Sequence, residues 1–364
     1  MKVPLAEIYV GDDVRNAVER VFRSGQFVKG PENRAFEREF ARYVRTSYAQ
    51  TVSSGTAALH VALQALDIGK NDEVLVPSFS FVATATPLLA LGAKPVFVDI
   101  EPETYTMDPA LARKKITNRT KGMIPVHLYG HPADLGALAE LAEGRDLWIL
   151  EDACQAHGAR YLGKHVGAFG DAAAFSFYPS KSMTVLGDGG MVVTNRTDVA
   201  ERLRMFADAG RGPGDKYVHR VVAENFRMSE VAAAIGRVQL AHLPEWVDAR
   251  RTIAKAYTER LSRVPAVSPP SERKGCVHGY YVYTVRTKLR DALAKHLGDR
   301  GIATGLYYPL PIHRQPLMPA STHRLSLPET DRAAKEGLSL PIFPSLPPET
   351  AREVAESVAS FHGG

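Results

Sequence analysis

The side chains with the clearest chemical potential in this 364-residue chain are a lysine, a carboxylate and a run of hydroxyls around a glycine. Lys181 follows an apolar run over residues 172–177, is flanked by Ser180 and Ser182, and precedes a glycine-rich turn at 187–190. A lysine amine is a useful nucleophile when burial or a nearby positive charge keeps it neutral, or when it is held as a Schiff base. A plain surface lysine is the alternative, and the position at a strand mouth argues against it. Asp152 ends a second apolar run, 147–150. A carboxylate there is costly without a partner. A protonated pyridine nitrogen is such a partner, and the pairing keeps the ring an electron sink; capping of a following helix is the plainer role. Glu151, beside it, either does that capping or faces another way.

Ser53-Ser54-Gly55-Thr56 opens the helical run AALHVALQAL. Backbone N–H groups and the helix dipole make such a start an anion site, with a simple N-cap as the alternative. Ser176, shortly before Lys181, adds a hydroxyl for the same anion, and Phe81, past the strand end at Pro77, can cover a flat ring or else sit in the core. An anion nest, a carboxylate, a lysine and an aromatic lid, each at a strand-to-helix junction, describe a pyridoxal phosphate site.

The elements that must position these groups are legible as alternation. Strand-like runs at 49–52, 73–76, 95–100, 122–126, 147–150, 172–177 and 191–194 are separated by helical or polar segments, including a helix over 83–91. This predicts βαβ units, a mostly parallel sheet with helices on both faces, and a ligand beyond the carboxyl ends of the strands. Helices at 12–23 and around Phe36, Phe40, Tyr43 and Val44 precede it. Beyond Glu201 the reading is a helix at 229–243 stopped before Pro244, a second at 246–264, and a loop at 265–274. A strand at 279–286, a helix at 292–301, proline-rich loops at 309–348 and a final helix at 348–359 complete it. The expected architecture is a large three-layer αβα domain over residues 1–245 and a smaller C-terminal α+β domain over 246–364.

Bulk properties narrow the class. A chain that is 45% hydrophobic and 23% charged is ordinary globular material. Net charge is +5, but the densest basic run, RKKITNRTK at 113–121, has no interleaved aromatics, so nucleic-acid binding is not expected; the basic balance favours an anionic small substrate such as a sugar nucleotide. MKVPLAEIYV lacks an apolar leader core and no stretch approaches a membrane span. Cys154 and Cys276 read as two reduced thiols, too few for a disulfide framework or a Cys-built metal site. The expected location is cytoplasmic. No G-x-G-x-x-G follows a strand, which disfavours a nicotinamide enzyme.

With these residues in view, the sequence resembles the DegT/DnrJ/EryC1/StrS family of sugar aminotransferases, fold-type I enzymes that use pyridoxal phosphate. The resemblance covers nearly the whole chain, through GQFVKGPENRAFEREFARYV, SSGTAALHVAL, VPSFSFVATA, EDACQAHGA, FSFYPSK, GDGGMVVT, ENFRMSE and YYPLPIHRQP. It implies that Lys181 forms the internal aldimine and then moves the proton, that Asp152 partners the pyridine nitrogen, and that Gln155 bonds the ring hydroxyl. Gly55, Thr56 and Ser176 match phosphate contacts beside Ser54, and Phe81 matches the stacking aromatic. Asn225 and Arg227 match residues contributed across an interface to the neighbouring site, Asn225 toward the cofactor and Arg227 toward the donor carboxylate. An obligate homodimer with two shared sites is therefore expected. Tyr308 and His313 match the loop over the sugar; for His313, packing on the domain interface is the equal alternative. Asp188 stands where the family often has glutamate, and Cys154 with Gln155 where many members have His or Ala; neither departure touches the cofactor assignment.

The implied activity is ping-pong transfer of an amino group, through pyridoxamine phosphate, from L-glutamate (or glutamine) to a nucleotide-linked 3- or 4-keto hexose. Alternatives are an aminotransferase acting on a cyclitol such as an inosose, an aminohydroxybenzoate-type synthase, and a pyridoxamine-dependent sugar dehydratase. The dehydratases replace the lysine with histidine, so Lys181 argues against that last reading. A non-catalytic regulatory protein on the same fold is disfavoured by the intact Lys181–Asp152 pair.

Overall fold

A computed structural model describes residues 2–212 and 214–363. At its centre lies a seven-stranded sheet in the order β1-β9-β8-β5-β4-β2-β3. The strands of this sheet are β1 (Tyr48–Val52), β2 (Glu73–Pro77), β3 (Lys94–Val98), β4 (Thr120–Met123), β5 (Trp148–Asp152), β8 (Ala172–Ser176) and β9 (Gly190–Thr194). Short strands β6 (Arg160–Tyr161) and β7 (Lys164–His165) pair with β10 (Cys276–Val277), and β11 (Tyr283–Arg286) pairs antiparallel with β12 (Gly337–Leu340). Neighbours from β3 through β8 are parallel. Only β9 is reversed, lying antiparallel between β8 and β1.

That direction rule positions the site. Because β1, β2, β5 and β8 point the same way, Ser53-Ser54, Ser78 to Phe81, Asp152 and Ser176 all emerge at one edge of the sheet. The reversed β9 brings its first residue, Gly190, to the same edge, in register with both Val52 and Ser176. A Cβ on Gly190 would come within 2.3 Å of the Ser54 carbonyl oxygen, so glycine is required for the strand to approach this closely.

Successive strand residues face opposite sides. Val74, Val76, Leu150, Ala174 and Val192 pack beneath the helices Gly55–Ala65 and Thr197–Ala207. Phe175, Met191 and Val193 meet Phe36, Phe40 and the helix Glu230–Leu261 on the other face. The expected three-layer αβα arrangement with a mostly parallel sheet is present. A separate core, built on Tyr257, Tyr283, Leu293, Leu338 and Val354, unites the C-terminal elements. No helix among the described residues is long and apolar enough to cross a membrane.

Several expectations are corrected. The helix expected to stop before Pro244 runs unbroken for 32 residues, from Glu230 to Leu261. A proline inside a helix costs about 3 kcal/mol. The burial of Leu240, Leu243 and Val247 against the phenylalanine cluster, at about 1.5–3 kcal/mol each, exceeds that. The division expected between residues 245 and 246 falls inside this helix, and we take it as shared by both units. The N-terminus also crosses over: Val3 belongs to the C-terminal core, and its N–H donates to the Gly301 carbonyl at 3.0 Å. The helix expected over 83–91 divides into a 3-10 turn, Val82–Thr84, and a short helix, Thr86–Ala90. The strand expected over 279–286 shortens to β11, because the N–H groups of Gly279 and Tyr281 donate to Gly130 and Tyr129 instead. The proline-rich stretch read as loops contains the helix Pro328–Glu336 and β12; Pro328 opens that helix at a position where its missing N–H is harmless.

Phe40 joins the face layers, with its ring centroid 5.0 Å from that of Phe175 and 5.5 Å from that of Phe177. Phe40→Ala is expected to lower stability by about 3–5 kcal/mol, read as a reduced urea midpoint with the sheet's circular dichroism signature retained below it.

Candidate active site

A cavity of about 450 Å³ opens at the carboxyl edge of the sheet, and Lys181, Asp152, Ser54, Gly55, Thr56, Phe81, Gln155, Ser176 and Tyr308 all line it. The helix Gly55–Ala65 begins there, its Ala- and Leu-rich sequence favouring helix, and Ser54 caps it by accepting from the Ala57 N–H at 3.0 Å. The cap reading and the anion-site reading therefore coexist. Capping consumes the Ser54 side-chain acceptor, while the N–H groups of Gly55 and Thr56 remain first-turn donors without an intrahelical partner. A Cβ on Gly55 would lie 2.6 Å from Ser176 Cβ and 3.1 Å from Cys154 Sγ, so the helix start and the end of β8 are in close contact.

Asp152 is buried at the cavity floor. Thr84 Oγ1 donates to its Oδ2 at 2.8 Å and the Cys154 N–H to its Oδ1 at 3.2 Å; Ser80 bonds Thr84 at 2.9 Å behind it. Gln155 is held between the Tyr129 N–H and the Tyr308 hydroxyl, each at 3.0 Å. Phe81 is half exposed and its ring centroid lies 5.9 Å from that of Tyr308. Burial, then the neighbouring Tyr281 hydroxyl and the Asp152 carboxylate, push the Tyr308 phenol well above its ordinary value, so it stays neutral. Burial and Asp152 likewise keep the Cys154 thiol protonated. His157, packed against Phe175 and Phe177, is pushed down to about 3 by burial and by Lys181.

Glu151 faces the opposite side from Asp152. It is fully buried, accepting from His127 Nε2 at 2.9 Å and from the N–H groups of Gly167, Phe169 and Gly170. His127 Nδ1 accepts the Ala133 N–H, so the ring proton sits on Nε2 and points at the carboxylate. Burial acts to raise the Glu151 carboxyl, but the hydrogen bonds from His127, Gly167 and Gly170 prevail and hold it below the ordinary value. Neither carboxylate caps a helix.

Three expected residues stand outside the cavity. Asn225 and Arg227 lie on the segment leading into the helix Glu230–Leu261. Arg227 pairs with Asp208 at 2.6 Å, and Lys29 and Arg211 pair with the same carboxylate. His313, expected over the substrate, is instead fully buried, bonded to Ser78 Oγ at 2.7 Å and packed against Phe97; of the two readings of that residue, interface packing fits. Residues not anticipated also line the cavity: Ser80, Thr84, Tyr178, Asp188, Tyr281 and Tyr307. The hydroxyl pair at 80 and 84 in SFSFVATAT was the readable sign. Nothing local marks Tyr281, which arrives from the C-terminal unit.

The arrangement offers backbone and hydroxyl donors for an anion at one end, a carboxylate for a basic ring nitrogen, aromatic faces for a flat ring, and an amine for an aldehyde. It is the cavity of a pyridoxal phosphate-dependent transferase. The sequence pattern of the DegT/DnrJ/EryC1/StrS aminotransferase family matches residues 9–359. The chain is 44% identical, over 95% of its length and 91% of the relative's, to the dTDP-3-amino-3,4,6-trideoxy-alpha-D-glucose transaminase of Streptomyces venezuelae. It is 41% identical, over 100% of its length and 99% of the relative's, to a pleiotropic regulatory protein of Geobacillus stearothermophilus. The crystal structure of S. venezuelae DesV in complex with a ketimine intermediate superposes with a TM-score of 0.96 at 42% identity, covering 100% of this chain and 99% of that one. The protein belongs to the DegT/DnrJ/EryC1/StrS aminotransferase family.

The Glu151 network makes stability depend on acid. A carboxyl depressed in the folded state stabilises fully above its ordinary value near 4.5, and that contribution drains away as the pH falls through the folded value. Glu151→Gln is expected to cost about 3 kcal/mol at neutral pH and to flatten the acid limb of a melting-temperature profile, with the two proteins converging at low pH.

Proposed function

We propose that the protein transfers an amino group from L-glutamate to a nucleotide-linked 3- or 4-keto hexose, with donor and acceptor binding in turn. The observation that carries this reading is the convergence of Lys181, Asp152 and the Ser54–Thr56 helix start on one cavity. The name of the transaminase relative supports the sugar substrate, and the ketimine intermediate in the DesV complex supports amino transfer. When bound, pyridoxal phosphate supplies the aldehyde that carries the amino group and the ring that delocalises the electrons released. Gly55, Thr56, Ser54 and Ser176 would hold its phosphate. Asp152, kept in place by Thr84 and the Cys154 N–H, would hold a proton on the ring nitrogen. Phe81 would cover the ring and Gln155 would meet its hydroxyl. Lys181 Nζ moves the proton at the carbon that gains or loses the amine. The neutral Tyr308 phenol at the cavity mouth orients the sugar. The two free cysteines fit a reducing compartment such as the cytoplasm.

Wild-type protein with pyridoxal phosphate is expected to show a visible absorption band that bleaches on adding L-glutamate. Lys181→Ala should lack the band and lose transfer to keto-sugars by about 10²–10⁴-fold or more. Absence of the band in the wild type sinks the reading. Bleaching by glutamine alone would move the acceptor to a cyclitol.

Asn225 and Arg227 lie outside the chain's own cavity, and the segment before them exposes Tyr217, Val218 and Val222, the last at 94%. Such apolar exposure supports an interface, and we place these two residues at the site of a second copy in a homodimer. Co-expressed Lys181→Ala and Asn225→Ala chains, each inactive alone, should then recover about a quarter of the wild-type sites, since half the random dimers are mixed and each holds one intact site. Recovery of nothing from demonstrated mixed dimers would refute sharing.

A further inference from the structure

We propose that Tyr281 is a positioning residue for Lys181, its ring face holding the lysine ammonium whenever that amine is not covalently engaged. This rests on the reading of Lys181 given above. Lys181 Nζ stands over the Tyr281 ring, 4.5 Å from its centroid, within the range where a cation is drawn to the ring quadrupole. Tyr281 is buried, and desolvation strengthens such an attraction.

The ring cannot drift with the lysine. Its hydroxyl meets Ser180 Oγ at 3.2 Å, its N–H donates to the Tyr129 carbonyl at 2.9 Å, and its carbonyl accepts from Arg250 Nη1 at 3.2 Å. These contacts tie it to the residue before Lys181, to the loop after β4 and to the long helix. The face is therefore preset before the amine arrives. Other titratable groups face the two cavities that Lys181 borders. Asp152 is engaged by Thr84 and the Cys154 N–H. Asp188 lines the same cavity, while Glu7, Tyr9, Glu245 and Arg250 line a second cavity of about 630 Å³ that Lys181 also borders. Cys154, His157 and Tyr308 are neutral, as argued above. A carboxylate in place of the ring would grip the ammonium more strongly; a ring face holds it in place with a weaker attraction.

The test uses the full-length chain loaded with pyridoxamine phosphate, in which the lysine amine is free. Lys181 is labelled with an acylating reagent from about pH 7 to 11.5, a range that brackets the ordinary lysine value, and the Lys181 peptide is quantified by mass spectrometry. Tyr281→Leu is expected to shift the midpoint of the rate–pH profile to lower pH, making labelling near neutrality about two- to fivefold faster. Tyr281→Phe keeps the face and stays near wild type. Fluorinated phenylalanines at 281, equal in shape but with progressively weaker ring faces, should move the midpoint in graded steps, and they decide the matter alone if Tyr281→Leu fails to fold. A purely steric role changes the high-pH plateau and leaves the midpoint in place. Unmoved midpoints across the fluorinated series overturn the proposal. Failure of the underlying reading is separate: borohydride reduction of the pyridoxal phosphate complex would then fix the cofactor on a lysine other than Lys181, whatever the midpoints show.

Discussion

Two adjacent carboxylates end the central strand of the sheet, and the rest of the site depends on satisfying both. Glu151 and Asp152 face opposite sides of β5, so one partner cannot serve them. Glu151 has its hydrogen bonds satisfied inside the protein by His127 and three backbone N–H groups. This anchors the loop after β7 and the connection after β4 to the end of β5. Among the described residues Asp152 receives only a hydroxyl and one N–H, and its side faces the cavity. The first carboxylate is structural and complete. The second keeps acceptor capacity for a ligand, and the fixed strand end beneath it keeps that capacity aimed.

The same edge shows why glycine and small residues recur around the cavity. Gly190 lies against the Ser54 carbonyl and Gly55 against Ser176 and Cys154. A side chain at either place would separate β9, β8 and the helix start, which must converge within a few ångströms to supply one anion site. The parallel sheet supplies the direction of each group, and the close approaches supply their distances.

Much of this was legible in the sequence because it follows local rules. Apolar runs ending in polar residues marked the strand mouths, so Lys181, Asp152, Ser54 to Thr56, Phe81 and Ser176 could be placed at one edge before any coordinates. What stayed hidden depends on tertiary contacts. Pro244 is a strong local stop, overridden by the burial of Leu240, Leu243 and Val247. The helix at Pro328 was masked by surrounding prolines, although one of them starts it. His313 carries no local sign that Ser78 will capture its ring. Tyr281 sits in a run of aromatics, and only the packing of the C-terminal unit against the large one sets its ring beside Lys181.

The helix Glu230–Leu261 spans about 48 Å at 1.5 Å per residue, running from the phenylalanine cluster under the sheet to the core of the C-terminal unit. It is thus a lever joining the two bodies. At Pro244 the helix lacks one rung, because the Leu240 carbonyl has no amide proton to accept. Tyr281 and Tyr308 lie beyond the lever in sequence but pack with Phe79, Val126 and Tyr129 beside the sheet, so the aromatic wall of the cavity stays with Lys181 and Asp152 rather than with the C-terminal core.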